Sequence, residues 1–144
     1  MRDLKDSIRS GPVMDEDTTA FWKALARHVI ELQRCGTCGE VRFPPMPTCP
    51  RCAGAEFKCI EVSGRGDIYS WITVRRPLGT IAESELPCTI ATVELDEGCR
   101  MIGKLARGAV PSIGDPVVAQ FIEHEGWTEL AFAPTSESGG STSD

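Results

Sequence analysis

Basic residues are scarce in this sequence. Its 144 residues hold 15 lysines and arginines against 21 acidic residues, a formal charge of −6, with no long basic run. Nucleic-acid affinity comes mainly from neutralising phosphates, so this balance argues against such a partner. Aromatic residues are few as well, at 6% with one tyrosine, which leaves little to stack on unpaired bases. No apolar run reaches the roughly 18 residues of a membrane span, and the first ten residues lack the apolar stretch of a signal peptide. Histidine occurs only at His28 and His124, and both read as surface or packing residues. No nucleophile–base pair is visible along the chain. The length suits one compact domain or two very small ones.

What the sequence has instead is cysteine. Seven is an odd number for a disulfide framework, and four of the seven fall in two paired units, Cys35-Gly-Thr-Cys38 and Cys49-Pro-Arg-Cys52, ten residues apart. A CxxC turn points both sulfurs at one ion, and two such turns make a tetrahedral thiolate set. Gly36 and Gly39 permit tight turns that direct backbone N–H groups at sulfur. This pattern predicts one structural zinc held by Cys35, Cys38, Cys49 and Cys52, with rubredoxin-like iron as the alternative. A site closed by four thiolates leaves no place for a reacting water. Gly36, Gly39, Pro44, Pro45, Pro47 and Pro50 forbid long regular structure here, so the metal must hold the segment. Paired CxxC units with leftover thiols point to a reducing cytoplasm. Cys59, Cys88 and Cys99 read as small apolar core residues.

Around this segment the periodicity changes twice. Asp15, Asp17, Thr18 and Thr19 provide helix-start chemistry, and Phe21, Leu25, Val29 and Leu32 follow at helical spacing. A break is expected near His28, with residues 29–33 forming a strand into the first knuckle. From Gly66 onward the chain alternates. Residues 67–76 place Ile68, Ile72 and Val74 on one face and Tyr69, Trp71 and Thr73 on the other. Two hairpins follow, 89–95 with 100–105 and 116–122 with 127–132. Five short strands predict a partly closed barrel of the OB type. The expected organisation is mainly β: an arm and helix (1–28), a zinc ribbon (29–60), a barrel (61–133) and a disordered Ser/Gly-rich tail (134–144).

Two further pairs carry alternative readings. Arg75-Arg76 is either solvated strand-end charge or a contact for an anionic group such as phosphate, which suits guanidinium forks. Phe21 and Trp22 lie about 100° apart on a helix, so one ring can pack on the core while the other meets a partner. Gly64-Arg65-Gly66 reads as a turn, since a strand and not a helix follows it.

Taken in order, these motifs form a recognisable series. Phe21-Trp22, Leu32-Gln33-Arg34-Cys35, Cys38, Phe43-Pro44-Pro45, Cys49-Pro50 and Cys52 are followed by 62–66, Tyr69-Ser70, 93–98 and Ile113-Gly114. The series resembles, over residues 20–133, an acyl-CoA-associated family of zinc-ribbon plus OB-fold proteins first known only as a domain of unknown function. The resemblance implies an N-terminal helix, a rubredoxin-like ribbon and an OB barrel. It also implies a thiolase-fold partner, with the chain acting as a non-catalytic accessory subunit. In one form the partner is a lipid-transfer-protein-like aldolase that cleaves sterol side chains as CoA thioesters. In another, the module bridges a thiolase and hydroxymethylglutaryl-CoA synthase. Acyl-CoA would then lie at a shared interface. The hydratase-like domain fused to some relatives is not part of this sequence, and residues 107–115 are too few for the helix many OB barrels carry there. The reading from another class is a module for single-stranded nucleic acid.

Overall fold

The computed structural model describes residues 12–77 and 81–135. Residues 136–144 of the expected tail and most of the expected arm lie outside them, while Pro134 ends a strand. Asp15 starts the first helix: its Oδ1 accepts the backbone N–H groups of Asp17 and Thr18, both at 3.0 Å. Helix α1 (Thr19–Ala26) buries Phe21, Ala24 and Leu25. It stops where expected, because His28 takes a φ of +62° and Val29 N–H turns back to Ala24 O. The chain then enters β1 (Ile30–Cys35), which pairs antiparallel with β2 (Val41–Arg42) and β3 (Phe57–Val62) in the order β2-β1-β3. Only two residues of the proline-rich stretch join this sheet.

The remaining strands, β4 (Arg65–Val74), β5 (Cys88–Leu95), β6 (Arg100–Leu105), β7 (Pro116–His124) and β8 (Trp127–Pro134), close a barrel in the order β4-β5-β6-β8-β7. All neighbours are antiparallel except β6 and β8, which run parallel through Lys104–Ala131 and Leu105–Phe132. This is the order of an OB barrel. Without the usual helix, the connection between β6 and β7 closes against β4 directly: Ile68 N–H bonds Asp115 O, and Gly114 N–H bonds Ile68 O.

One facial assignment is corrected. A bulge at Tyr69 shifts the register, so that Ile68 faces Val93 while Ser70 faces Thr92. The extra residue reverses the alternation beyond it. Ile72 therefore sits on the outer face, 60% exposed, and Trp71 opposes the buried Ala91. Cys59 is also not a core residue; it is exposed on β3, whereas Cys88 and Cys99 are buried. Helix, ribbon sheet and barrel share one core, in which Phe21, Leu25, Ile30, Leu32 and Val62 pack with Ile68, Val93, Met101, Val117 and Phe132.

Candidate metal centre

The two knuckles repeat one backbone plan. Gly39 N–H bonds Cys35 O and Ala53 N–H bonds Cys49 O, while Cys35 N–H and Cys49 N–H reach Glu40 O and Gly54 O. Each loop thus folds back on its first cysteine and turns its two sulfurs the same way. The sulfurs of Cys35, Cys38, Cys49 and Cys52 lie within 4.8 Å of one another, with Cys35–Cys52 at 3.5 Å and Cys38–Cys49 at 3.7 Å. Four sulfurs around zinc at about 2.3 Å stand about 3.8 Å apart, so the set fits a tetrahedral ion.

Its electrostatics fit as well. The N–H groups of Cys38 and Thr37 point at the Cys35 sulfur, from 3.5 and 3.3 Å, and push that thiol down to about 6. Cys49 is pushed down too, first by the Cys52 N–H and further by that of Arg51. Cys38 goes up to about 11: the Glu40 N–H favours its thiolate, but burial and the three neighbouring sulfurs outweigh it. Backbone N–H groups thus favour the thiolates of Cys35 and Cys49, while the crowding of sulfurs and burial disfavour that of Cys38. Outside this cluster, burial raises Cys88 and Cys99, the latter to about 11, and partial desolvation with the nearby Glu31 raises Cys59. None of these three is an activated nucleophile.

The other expected site residues are dispersed. Phe21 is buried against Phe43, ring centroids 5.6 Å apart, while the half-buried Trp22 meets Trp127 edge-on at 6.1 Å. Arg75 and Arg76 are exposed just beyond the Val74–Cys88 pair.

Two adjacent stretches match models of known domains: residues 22–58 match the ChsH2 rubredoxin-like zinc ribbon domain, and 60–121 the ChsH2 C-terminal OB-fold domain. A solved structure described as the Ltp2-ChsH2(DUF35) aldolase is similar at 33% identity and a TM-score of 0.74, covering 86% of this chain and 98% of that one. The chain belongs to the DUF35 family. The cluster of Cys35, Cys38, Cys49 and Cys52, within a rubredoxin-like zinc ribbon domain, fits one structural zinc. Among curated relatives, the alpha subunit of 3-oxo-4,17-pregnadiene-20-carboxyl-CoA hydratase from Mycobacterium tuberculosis is 34% identical over 92% of this chain and 42% of its own length. The benzoylsuccinyl-CoA thiolase subunit BbsA from Thauera aromatica is 33% identical over 50% of this chain and 48% of its own. This DUF35 chain therefore spans about half or less of those two relatives.

Two clusters in the DUF35 chain escape sequence reasoning. Gln33, buried on β1, accepts from Arg42 Nε at 2.6 Å and from Met46 N–H at 3.1 Å. On the barrel's outer face, a groove of about 470 Å³ includes Cys88, Lys104, Arg107, His124 and Glu129. There Lys104 Nζ bonds Glu85 at 2.9 Å and Glu129 at 3.1 Å, and His124 Nε2 meets Glu129 at 2.7 Å. His124 and Glu129 face each other across one hairpin, but the Lys104 partners are 19 and 25 residues away, and no local motif announces them.

Proposed function

We propose that this chain is a non-catalytic accessory subunit of a thiolase-fold enzyme that breaks carbon–carbon bonds in acyl-CoA thioesters, acting in the cytoplasm. The observation that carries this reading is the similarity along nearly the whole length of the DUF35 chain in the solved aldolase. The thiolase-subunit relative supports a thiolase-fold partner, and the pregnadiene-carboxyl-CoA relative supports a steroid side-chain thioester as substrate. The local chemistry agrees. The metal site is closed by four thiolates, and the thiols outside it are raised by burial, so neither supplies the bond-breaking group.

In this reading the chain contributes docking surface and anion contacts. The exposed part of Trp22, beside the buried Phe21, meets the partner. Arg75 and Arg76, at the end of β4, reach a phosphate of CoA.

Reconstitution tests it. The isolated chain is expected to neither cleave nor condense acyl-CoA, and adding it to its thiolase-fold partner should raise the partner's turnover or solubility. Replacing Arg75 and Arg76 by Ala should weaken acyl-CoA use by roughly 1.5–3 kcal/mol, one charge-assisted contact. Turnover by the chain alone would overturn the accessory role. Unchanged kinetics in the double variant would remove only the phosphate contact. Salt-sensitive micromolar binding to single-stranded oligonucleotides would favour the nucleic-acid module instead.

A further inference from the structure

Arg42 is 3% exposed, and its Nη1 is buried without a hydrogen-bond partner. The rest of the guanidinium is tightly held. Nε donates to Gln33 Oε1 at 2.6 Å, Nη2 donates to Met46 O at 3.1 Å, and the group lies 5.2 Å from the Phe57 ring centre. All of these partners are uncharged. No carboxylate among the described residues stands within ion-pair distance of Arg42; Glu40 pairs with Arg51 at 3.1 Å. Burying a guanidinium without an opposing charge is costly, so a compensating anion must lie close by.

The sheet register shows where. Arg42 pairs with Gln33, and Phe57 pairs with Cys35. Gln33 and Cys35 are two apart on β1, so their side chains share one face. Arg42 thus stands one step from the first zinc ligand on the same face. Zn²⁺ with four thiolates has a net charge of −2, shielded from water on the side of the buried Cys35 and Cys49. Of the other charged residues nearby, Arg34, Glu40, Arg51, Glu56 and Lys58 are exposed, where water screens them, and the half-buried Glu31, on the same face of β1, pairs with Arg27 at 3.5 Å. Glu94 and Arg100 reach from the barrel into the cleft that Arg42 lines, and both are exposed as well.

We propose that Arg42 is the buried counter-ion of the zinc–tetrathiolate centre, locked in position by Gln33, and that its charge sets how tightly the ribbon holds its metal. The cation acts through the field and not through a bond to sulfur. This inference rests on the zinc site alone and stands whether or not the chain serves a thiolase-fold partner.

The test separates the charge from the hydrogen bonds. Zinc affinity of the full chain is measured by chelator competition for wild type, Arg42→Gln, Arg42→Lys and Gln33→Ala. Arg42→Gln should bind zinc about tenfold more weakly, the scale of one poorly screened charge. Arg42→Lys and Gln33→Ala keep the cation and should stay within about threefold of wild type. In the cobalt-loaded protein the thiolate-to-metal charge-transfer band should move to longer wavelength in Arg42→Gln, because losing the cation raises the sulfur lone pairs, and should stay in place in Gln33→Ala. Equal affinity in Arg42→Gln and wild type would overturn the proposal. If Arg42→Gln does not fold, the charge-keeping variants decide: a tenfold loss in both would assign the effect to the hydrogen bonds and overturn it, while retention in both supports the charge.

Discussion

Ala53 has a φ of +66° at the position of the second knuckle where the first has Gly39 at +81°. The left-handed region costs a residue with a Cβ roughly 1–2 kcal/mol, and glycine returns part of that through its freer unfolded chain. Ala53→Gly is therefore expected to stabilise the zinc-loaded protein by about 0.5–1 kcal/mol, read as a higher denaturation midpoint at unchanged slope; a loss would mean that the methyl group packs usefully. The four ligands were legible at this scale because a CxxC turn is local and its chemistry is written in two residue types. Arg42 was not legible. Nothing in Val41-Arg42-Phe43 separates a buried guanidinium from a solvated one until β2 pairs with β1 and brings it to Gln33.

Between elements, polar fasteners hold residues 83–85, just before β5, on the barrel. The 3-10 turn Glu83–Glu85 is tied down at two points, by Lys104 Nζ on Glu85 and by Arg107 on Ser84 O at 2.9 Å. Burial disfavours the Lys104 ammonium, but Glu85 and Glu129 overcome it and raise its pKa above 10.5. A raised value means that the stabilisation is complete below about 10.5 and is lost as pH rises through the folded-state pKa. Lys104→Met should thus cost about 1–2 kcal/mol near pH 8, between the values for exposed and buried pairs. The gap between variant and wild type should shrink above pH 10.5 in a series of denaturant titrations. A gap independent of pH would assign the loss to packing instead. The barrel strands were readable here because they alternate and their hairpins have turn residues, whereas β2 and β3 of the ribbon sheet were not expected from the sequence. The bulge at Tyr69 was not readable either, since one extra residue in β4 is defined only by what β5 places opposite it, and that reversed the assignment of Ile72.

For the whole molecule, the shared core determines how far the loss of zinc spreads. Ile30, Leu32 and Val62 belong to the ribbon sheet yet pack in the barrel's core at 1–6% exposure. The segment between Cys35 and Phe57 contributes only the partly buried Val41 and Phe43 to that cluster. Its order depends on the metal, which in small ribbons contributes on the order of 10 kcal/mol or more, whereas the barrel closes through its own ladder. The sequence already implied this division, because breakers crowd one segment and alternation fills the other. It could not show that the two units share a core, which only the folded contacts reveal. Stripping zinc with a chelator, or replacing Cys35 by Ser, should therefore release the amides of residues 36–56 to fast hydrogen exchange while those of β5 and β6 stay protected. Cys99→Ser should keep both the metal and the protection, since Cys99 lies outside the thiolate set. The thermal midpoint of the stripped protein should fall as well, because frayed knuckles no longer hold β1 and β3 in register and Leu32 and Val62 are then less firmly seated. Simultaneous loss of protection in β5 and β6 would show instead that zinc holds ribbon and barrel as one cooperative unit.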